Sequence, residues 1–130
     1  MLVATAGFSA FALQASRNIL DMHITLGRWA QTEVPAGDWI ATNDIGAIGY
    51  YSERDILDTV GLIEPELGEH LLRSGMALDY IHTRLPRLVM VFPGWLPGIT
   101  EHPGYRLIRT VTLERNVIAG SSEMWVYGRR

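Results

Sequence analysis

Acidic side chains gather between residues 44 and 66, and they are the groups in this sequence best suited to acid–base chemistry. Asp44 follows one short apolar segment, Asp55 and Asp58 flank a second, and Glu64 and Glu66 come shortly afterwards. Paired carboxylates act as general acid and base when they converge and their pKa values separate. The alternative is a set of solvated carboxylates at strand ends and helix starts, where the helix dipole favours negative charge.

Asn43 and Asp44 stand at the end of the segment Trp39–Thr42, which is short, apolar and β-prone. Gly46 and Gly49 follow with the spacing G-x-x-G, which lacks the third glycine of the dinucleotide-binding fingerprint. Because open α/β sheets bind ligands beyond strand ends, Asn43 and Asp44 are candidate ligand-binding residues. The alternative is structural: Asp44 caps the following turn, and Gly46 helps to shape it.

Two aromatic and two basic residues complete the candidate ligand-binding set. Tyr50 and Trp95 suit sugar stacking or contact with a membrane interface, although core packing is the competing interpretation for Tyr50. Trp95 lies in the Gly- and Pro-rich segment 93–98, so we expect it to be exposed or docked, and an exposed apolar loop also suits a protein-interaction module. Arg106 and Arg109, on a late strand, are placed to bind a phosphate bidentately or to line a solvated face.

Composition excludes several classes of chemistry. The chain has no cysteine, and its 11 basic residues are all arginine, which rules out thiolate nucleophiles, a P-loop lysine and Schiff bases. The four histidines show no metal-binding spacing, so the sequence predicts no metal site and no cofactor. A net charge of -3 provides no basic field for nucleic acid.

The elements that must position these residues can be read from periodicity and from turn formers. An amphipathic helix is predicted from Arg17 to Val34, capped by Ser16 and ended by Pro35. Two further helices are predicted, one from Pro65 to a stop at Gly75 and one from Met76 that ends at Pro86. Strands are predicted at residues 39–42, 55–60, 88–92, 105–113 and 124–127, with the last two paired antiparallel.

The predicted fold class is α/β, a small mixed sheet flanked by helices with a C-terminal antiparallel strand pair. A chain of 130 residues suits one domain, which we place at residues 16–130. The apolar run from Met1 to Leu13 is shorter than the ~20 residues that span a bilayer. We interpret residues 1–15 as the remnant of a hydrophobic segment, such as a last transmembrane helix; the alternative is an N-terminal core helix.

The residues from Trp39 to Ser52, continuing through Ile56–Leu62 and Pro65–Glu66, resemble a family pattern. This pattern is similar to the soluble C-terminal region of bacterial polytopic glycosyltransferases of the mannosyltransferase-like, lipid-linked-sugar class. In those proteins a short strand ends in an acidic residue, and a glycine-rich turn leads into Gly-Tyr. A second strand then gives Asp-x-x-Gly-Leu before an acidic helix.

The resemblance implies an extracytoplasmic accessory domain at the cell membrane, which contacts the acceptor or covers a membrane-embedded active site. Its partners would be the membrane-embedded part of the same polypeptide and a glycan or lipid-linked sugar. The family's catalytic carboxylates lie in loops between transmembrane helices, so the resemblance implies no catalytic residue here. The competing hypothesis is a free-standing soluble ligand-binding module or enzyme with a site near Asp44 and Asp58.

Overall fold

A single long helix opens the fold. The computed structural model describes residues 2–63, 65–72 and 76–130. The helix consists of α1 (Leu2–Asn18), a π-helical segment (Ile19–Ile24) and α2 (Thr25–Glu33), which follow one another without a break. It ends where Val34 becomes extended before Pro35, as predicted.

The predicted start of this helix at Ser16 is wrong. Helical structure continues through this position, and the Ser16 hydroxyl donates to the carbonyl oxygen of Ala12 at 2.9 Å. This bond to the preceding turn is the one that serine makes inside a helix, whereas a capping serine accepts from the following turn. The apolar residues before Ser16 therefore extend the same helix.

The core-helix alternative for the N-terminal segment is correct in its helical geometry but wrong about burial. Phe8, Phe11 and Leu13 are 73%, 51% and 56% exposed. Among the described helices, none combines the length and the apolar character needed to cross a bilayer. The interpretation of residues 1–15 as a remnant stays a prediction.

Five strands form one mixed sheet, which confirms the predicted fold class. They are β1 (Trp39–Thr42), β2 (Asp55–Asp58), β3 (Leu88–Val91), β4 (Tyr105–Thr112) and β5 (Glu123–Arg129), in the spatial order β2-β1-β3-β5-β4. The strand β1 is parallel to both of its neighbours, while β5 is antiparallel to β3 and β4. The strand β3 is buried along its whole length, and the last two strands pair antiparallel as predicted.

Helices cover both faces of the sheet, and each face has its own apolar core. The long helix and α3 (Ile45–Ser52) lie on one face, where Met22, Leu26 and Ile48 pack against Met90 and Val126. The opposite face carries α4 (Pro65–Leu72) and α5 (Met76–Thr83); its buried residues include Leu67, Ala77, Leu78, Ile81, Val89 and Tyr127. The predicted stop at Gly75 lies outside the described residues.

The helix α3 replaces the glycine turn predicted at residues 46–49. Gly46 and Gly49 have helical geometry, and the first residue in the left-handed region is Glu53, which ends the helix at a φ of 53°. Ile48 is fully buried against the long helix, so tertiary packing outweighs the low helix propensity of the two glycines.

The two ends of the sheet differ, and they are named here for the parallel strands. At the carboxyl end β1, β2 and β3 finish, and the connection 113–122 between β4 and β5 reaches the same end. At the amino end these three strands begin, β4 begins and β5 finishes. Every candidate residue can be assigned to one end or to the strands between them.

The helix α1 belongs to the carboxyl end. The chain passes from α2 through residues 34–38 into the start of β1, so the long helix runs antiparallel to β1. Its earlier part is tied to the β4–β5 connection, because Gln14 Nε2 and Asn18 Nδ2 donate to the carbonyl oxygen of Arg115 at 3.0 and 2.7 Å. The exposed residues 7–13 therefore project from the carboxyl end.

The close approach of α2 and α3 gives a prediction about Gly27. A Cβ atom there would lie 2.9 Å from Tyr51 Cβ and 3.1 Å from the Ala47 carbonyl oxygen. Overpacking lowers the free energy of unfolding by about 1–3 kcal/mol. The higher helix propensity of alanine offsets up to ~1 kcal/mol of this loss. We expect Gly27→Ala to lower the free energy of unfolding in urea. Gly46→Ala, which meets no atom within 4 Å, is the matched control and should be neutral or stabilising; equal effects would contradict this packing.

Candidate functional site

The carboxyl end of β1 places Asp44 beside a histidine from the long helix. Asp44 occupies the N-cap position of α3 but makes no side-chain capping hydrogen bond. Its Oδ2 atom lies 3.0 Å from Nε2 of His23 instead. The interpretation of Asp44 as a cap is therefore wrong, and its carboxylate instead contacts a histidine of the long helix.

His23 reaches this position because it lies in the π-helical segment. The wider turn lets the consecutive residues Met22 and His23 both face the protein interior, at 0% and 1% exposure. The histidine ring also meets the Phe92 ring edge to face, with centroids 6.4 Å apart. Single π turns inside α-helices occur frequently at functional sites.

Burial controls the protonation of His23. It lowers the pKa of the imidazole below its ordinary value of 6.5, and the Asp44 carboxylate opposes this shift less strongly. Among the described residues Nδ1 has no hydrogen-bond partner, and the close contact of Nε2 with Asp44 lacks hydrogen-bond geometry. The ring is therefore neutral at pH 7, and the charge of Asp44, which is 31% exposed, is left facing solvent.

Asn43 ties the ends of β1 and β3 together. Its Oδ1 atom accepts the backbone N–H of Phe92 at 3.0 Å, while Nδ2 is buried without a hydrogen-bond partner among the described residues. The chain leaves β1 through α3 on one face, whereas Leu96 and Ile99, which follow β3, pack into the core of the other face. Asn43 and Asp44 thus lie at the topological switch point, where open α/β sheets bind ligands.

Asp58 has a different environment at the end of β2. It is fully buried, its Oδ1 accepts the N–H of Val60 at 2.9 Å, and its Oδ2 accepts the N–H of Ile63 at 2.8 Å. These bonds fix the turn that carries Gly61, as expected for an architectural aspartate. A ligand role for Asp58 stays a prediction and would require these bonds to break.

The remaining candidates are distributed over the fold. Trp95 lies at the carboxyl end, 48% exposed, with its ring edge to face against Phe92 at 5.4 Å. Tyr50 is 78% exposed on α3, so core packing is the wrong interpretation for it. Arg106 lies at the amino end, and Arg109 holds its guanidinium 5.1 Å from the centre of the Trp29 ring. The structure thus groups Asn43, Asp44 and Trp95 and separates them from Tyr50 and the two arginines.

Sequence reasoning missed His23, because the burial that distinguishes it is visible only in the structure. Asn18 and His23 are both buried polar residues five positions apart, which is the spacing of one π turn. The side chain of Asn18 is also fully used, because its Oδ1 accepts the N–H of Val117 at 2.9 Å. Among the described residues, no three His, Asp or Glu side chains are arranged to hold a metal ion.

Comparison with known proteins assigns the family. One family model matches residues 14–127, which include β1 to β4, most of β5 and the helices from the end of α1 onward. The chain belongs to this family, described as a domain of unknown function (DUF8728). No curated protein matches the chain. No solved structure matches it either.

The burial of His23 predicts loss of stability in acid. Since its pKa is lower in the folded chain, the unfolded chain takes up the proton first as the pH falls, and the free energy of unfolding drops from about pH 6.5 downward. The pKa of His102 is lowered as well, by burial and by His82, so His102→Gln serves to remove that contribution. Urea unfolding at several pH values measures the dependence.

The ring protons of His23, followed by NMR, give its pKa directly. We expect a midpoint below 6.5 in the native chain and a lower one in Asp44→Asn, because that variant removes the charge that favours protonation. A native midpoint above 6.5 would mean that the carboxylate outweighs burial, and would contradict this account of the site.

Proposed function

We propose that this chain is a non-catalytic accessory domain of an integral-membrane glycosyltransferase that uses lipid-linked sugar. Its carboxyl end faces the membrane-embedded part of the same polypeptide, on the extracytoplasmic side of the cell membrane. There it contacts the acceptor glycan or covers the active site. The residues that resemble this class of enzyme build β1, α3, β2 and the turn at Asp58, and so form much of the carboxyl end.

The observation that carries this proposal is the concentration of exposed apolar side chains at the carboxyl end. They come from α1, from the segments that follow β2 and β3, and from the β4–β5 connection: Phe8, Phe11, Leu13, Leu62, Ile63, Trp95 and Ile118, each between 48% and 75% exposed. Exposed apolar surface on this scale marks contact with a protein or a membrane. Trp95, with its polar ring nitrogen, also suits the headgroup region.

Polar groups at the same end suit contact with a sugar. The partly exposed carboxylate of Asp44 can accept hydrogen bonds from sugar hydroxyls, and Asn43 lies beside it. Glycosyl transfer by general acid and base needs two groups that reach the reactants. His23 is 1% exposed and Asp58 is fully buried with both oxygens bonded, which favours a binding role over the free-standing enzyme hypothesis.

Docking of the carboxyl end can be tested with vesicles of a neutral phospholipid, because the arginines contribute little to binding of an uncharged membrane. We expect the chain to float with the vesicles and Phe8→Ser/Phe11→Ser to lose binding about 100-fold or more, since each buried Phe contributes about 1.5–3 kcal/mol. Tyr50→Ser is the control, because Tyr50 is also an exposed aromatic residue but lies on α3. Equal losses in both variants, or no binding by the native chain, would contradict docking through α1.

Activity can be tested in membranes that contain the polypeptide encoded by the complete gene, with a sugar linked to polyprenyl phosphate as donor. We expect Asp44→Asn to raise the KM for the acceptor by about tenfold, the effect of one hydrogen bond to a charged group, with little change in kcat. Asp55→Asn changes an exposed carboxylate at the amino end and is the control.

The 130-residue chain by itself should show no sugar transfer. Turnover of an activated sugar by the isolated chain would contradict the accessory role and favour the enzyme hypothesis. A complete polypeptide without transferase activity would contradict the assignment to glycosyltransferases.

A further inference from the structure

The amino end of the sheet carries a concentration of arginines that the proposed function does not use. Arg87 precedes β3, Arg106 lies near the start of β4, Arg129 is the last residue of β5, and Arg130 follows it. They line two adjoining grooves of about 250 and 560 Å³ that share Arg106 and Arg129. Four of the 11 arginines of a chain with net charge -3 therefore meet on one surface.

These arginines lack the partners that would make them structural. In the described part of the chain, none of the four forms an ion pair, and Glu33 is the one carboxylate side chain among the residues that line the two grooves. Arg54, also at the amino end, shows the contrast: its guanidinium donates to the carbonyl oxygens of Gln31, Val34, Ser52 and Glu53. Four arginines that line adjoining grooves with one carboxylate among them repel one another, and an anion would relieve this repulsion.

The backbone beneath the arginines is firmly hydrogen bonded. The N–H of Arg87 donates to the Trp39 carbonyl at 2.8 Å, and the N–H of Arg129 donates to the Arg87 carbonyl at 3.1 Å. The Arg129 guanidinium is itself anchored, because it donates to the Leu85 carbonyl. The positions from which the side chains project are therefore fixed before any ligand arrives, which lowers the entropic cost of binding.

The floor of the smaller groove is open because of a glycine. Gly128 pairs with Leu88 on one side and with Arg106 on the other, and it presents no side chain between them. A Cβ atom at Gly128 would lie 3.2 Å from Ile108, which also lines the groove. Trp29 lines another side of the smaller groove, and the guanidinium of Arg109 packs over its ring.

We propose that this arginine groove binds the phosphate group of a phosphorylated compound, either a free phosphate ester or the headgroup of a lipid. Planar guanidinium forks match phosphate oxygens bidentately, which ammonium groups do not, and this chain has no lysine. The site extends the predicted phosphate role of Arg106 to Arg87, Arg129 and Arg130, and it assigns Arg109 to the support of Trp29. It does not depend on the role proposed for the carboxyl end.

The test uses inorganic pyrophosphate as the free probe and vesicles rich in phosphatidylglycerol as the lipid probe. Titrations are followed by the NMR signals of the arginine side chains. We expect one probe or both to shift the signals of Arg106 and Arg129, and Arg106→Gln/Arg130→Gln to weaken that binding at least about tenfold. The control Arg115→Gln removes one exposed charge at the carboxyl end and should change the affinity less than about twofold. Circular dichroism verifies that each variant is folded.

The two probes separate the sources of the phosphate. Shifts with pyrophosphate that the double variant loses support a free phosphate ester, and vesicle binding that the double variant loses supports a lipid headgroup. The proposal is overturned if neither probe shifts the groove arginines at millimolar concentration, or if Arg115→Gln weakens binding as much as the double variant does. None of these outcomes affects the vesicle test of α1, which uses neutral lipid.

Discussion

The parallel pairing of β1 with both β2 and β3 is the constraint on which the rest of the structure depends. Parallel neighbours cannot be joined by hairpins, so each connection must cross the sheet through helices. The chain meets this requirement with α3 on one face and with α4 and α5 on the other. The strands β1 and β3 consequently end side by side with their connections diverging, and this gap holds Asn43 and Asp44.

Packing of the long helix against that sheet determines which side chains the gap between the ends of β1 and β3 presents. Met22 and Leu26 anchor the helix in the core, and the π turn brings His23 inward as well. A neutral His23 provides no full counter-charge, so the partly exposed carboxylate of Asp44 stays accessible to groups from solvent. The arrangement favours recognition of hydroxyl groups over proton transfer, because the imidazole is sealed from solvent.

The sequence was informative where one local signal decided the outcome. The apolar residues of β3, the turn formers between the last two strands and Pro65 at a helix start all gave the correct elements. Prediction from the sequence failed where the outcome depended on a residue distant in the sequence. The packing of Ile48 holds Gly46 and Gly49 in a helix against their propensity. The carboxylate of Asp44 contacts a histidine 21 positions earlier. The environment of Asp58 has a local origin instead, because its oxygens accept the N–H groups of Val60 and Ile63 in a turn whose geometry the sequence only outlines.

The two ends of the sheet differ in the charge that they expose, and this separation is itself an argument about orientation. Exposed apolar side chains of α1 and of the neighbouring segments lie at the carboxyl end, while the arginines that line the groove lie at the amino end, beside exposed Leu85 and Ile108. Suppose that one surface made all of the domain's contacts with ligands and partners. Burial of the apolar end would then bring the arginines into the same interface, where their desolvation would be costly. Two surfaces at opposite ends avoid that cost: the apolar end can dock while the arginine groove stays in water and accepts an anionic ligand from solution. For a lipid headgroup to fill the groove, the amino end would have to face a membrane, so the source of the phosphate also reports which end of the domain a membrane meets.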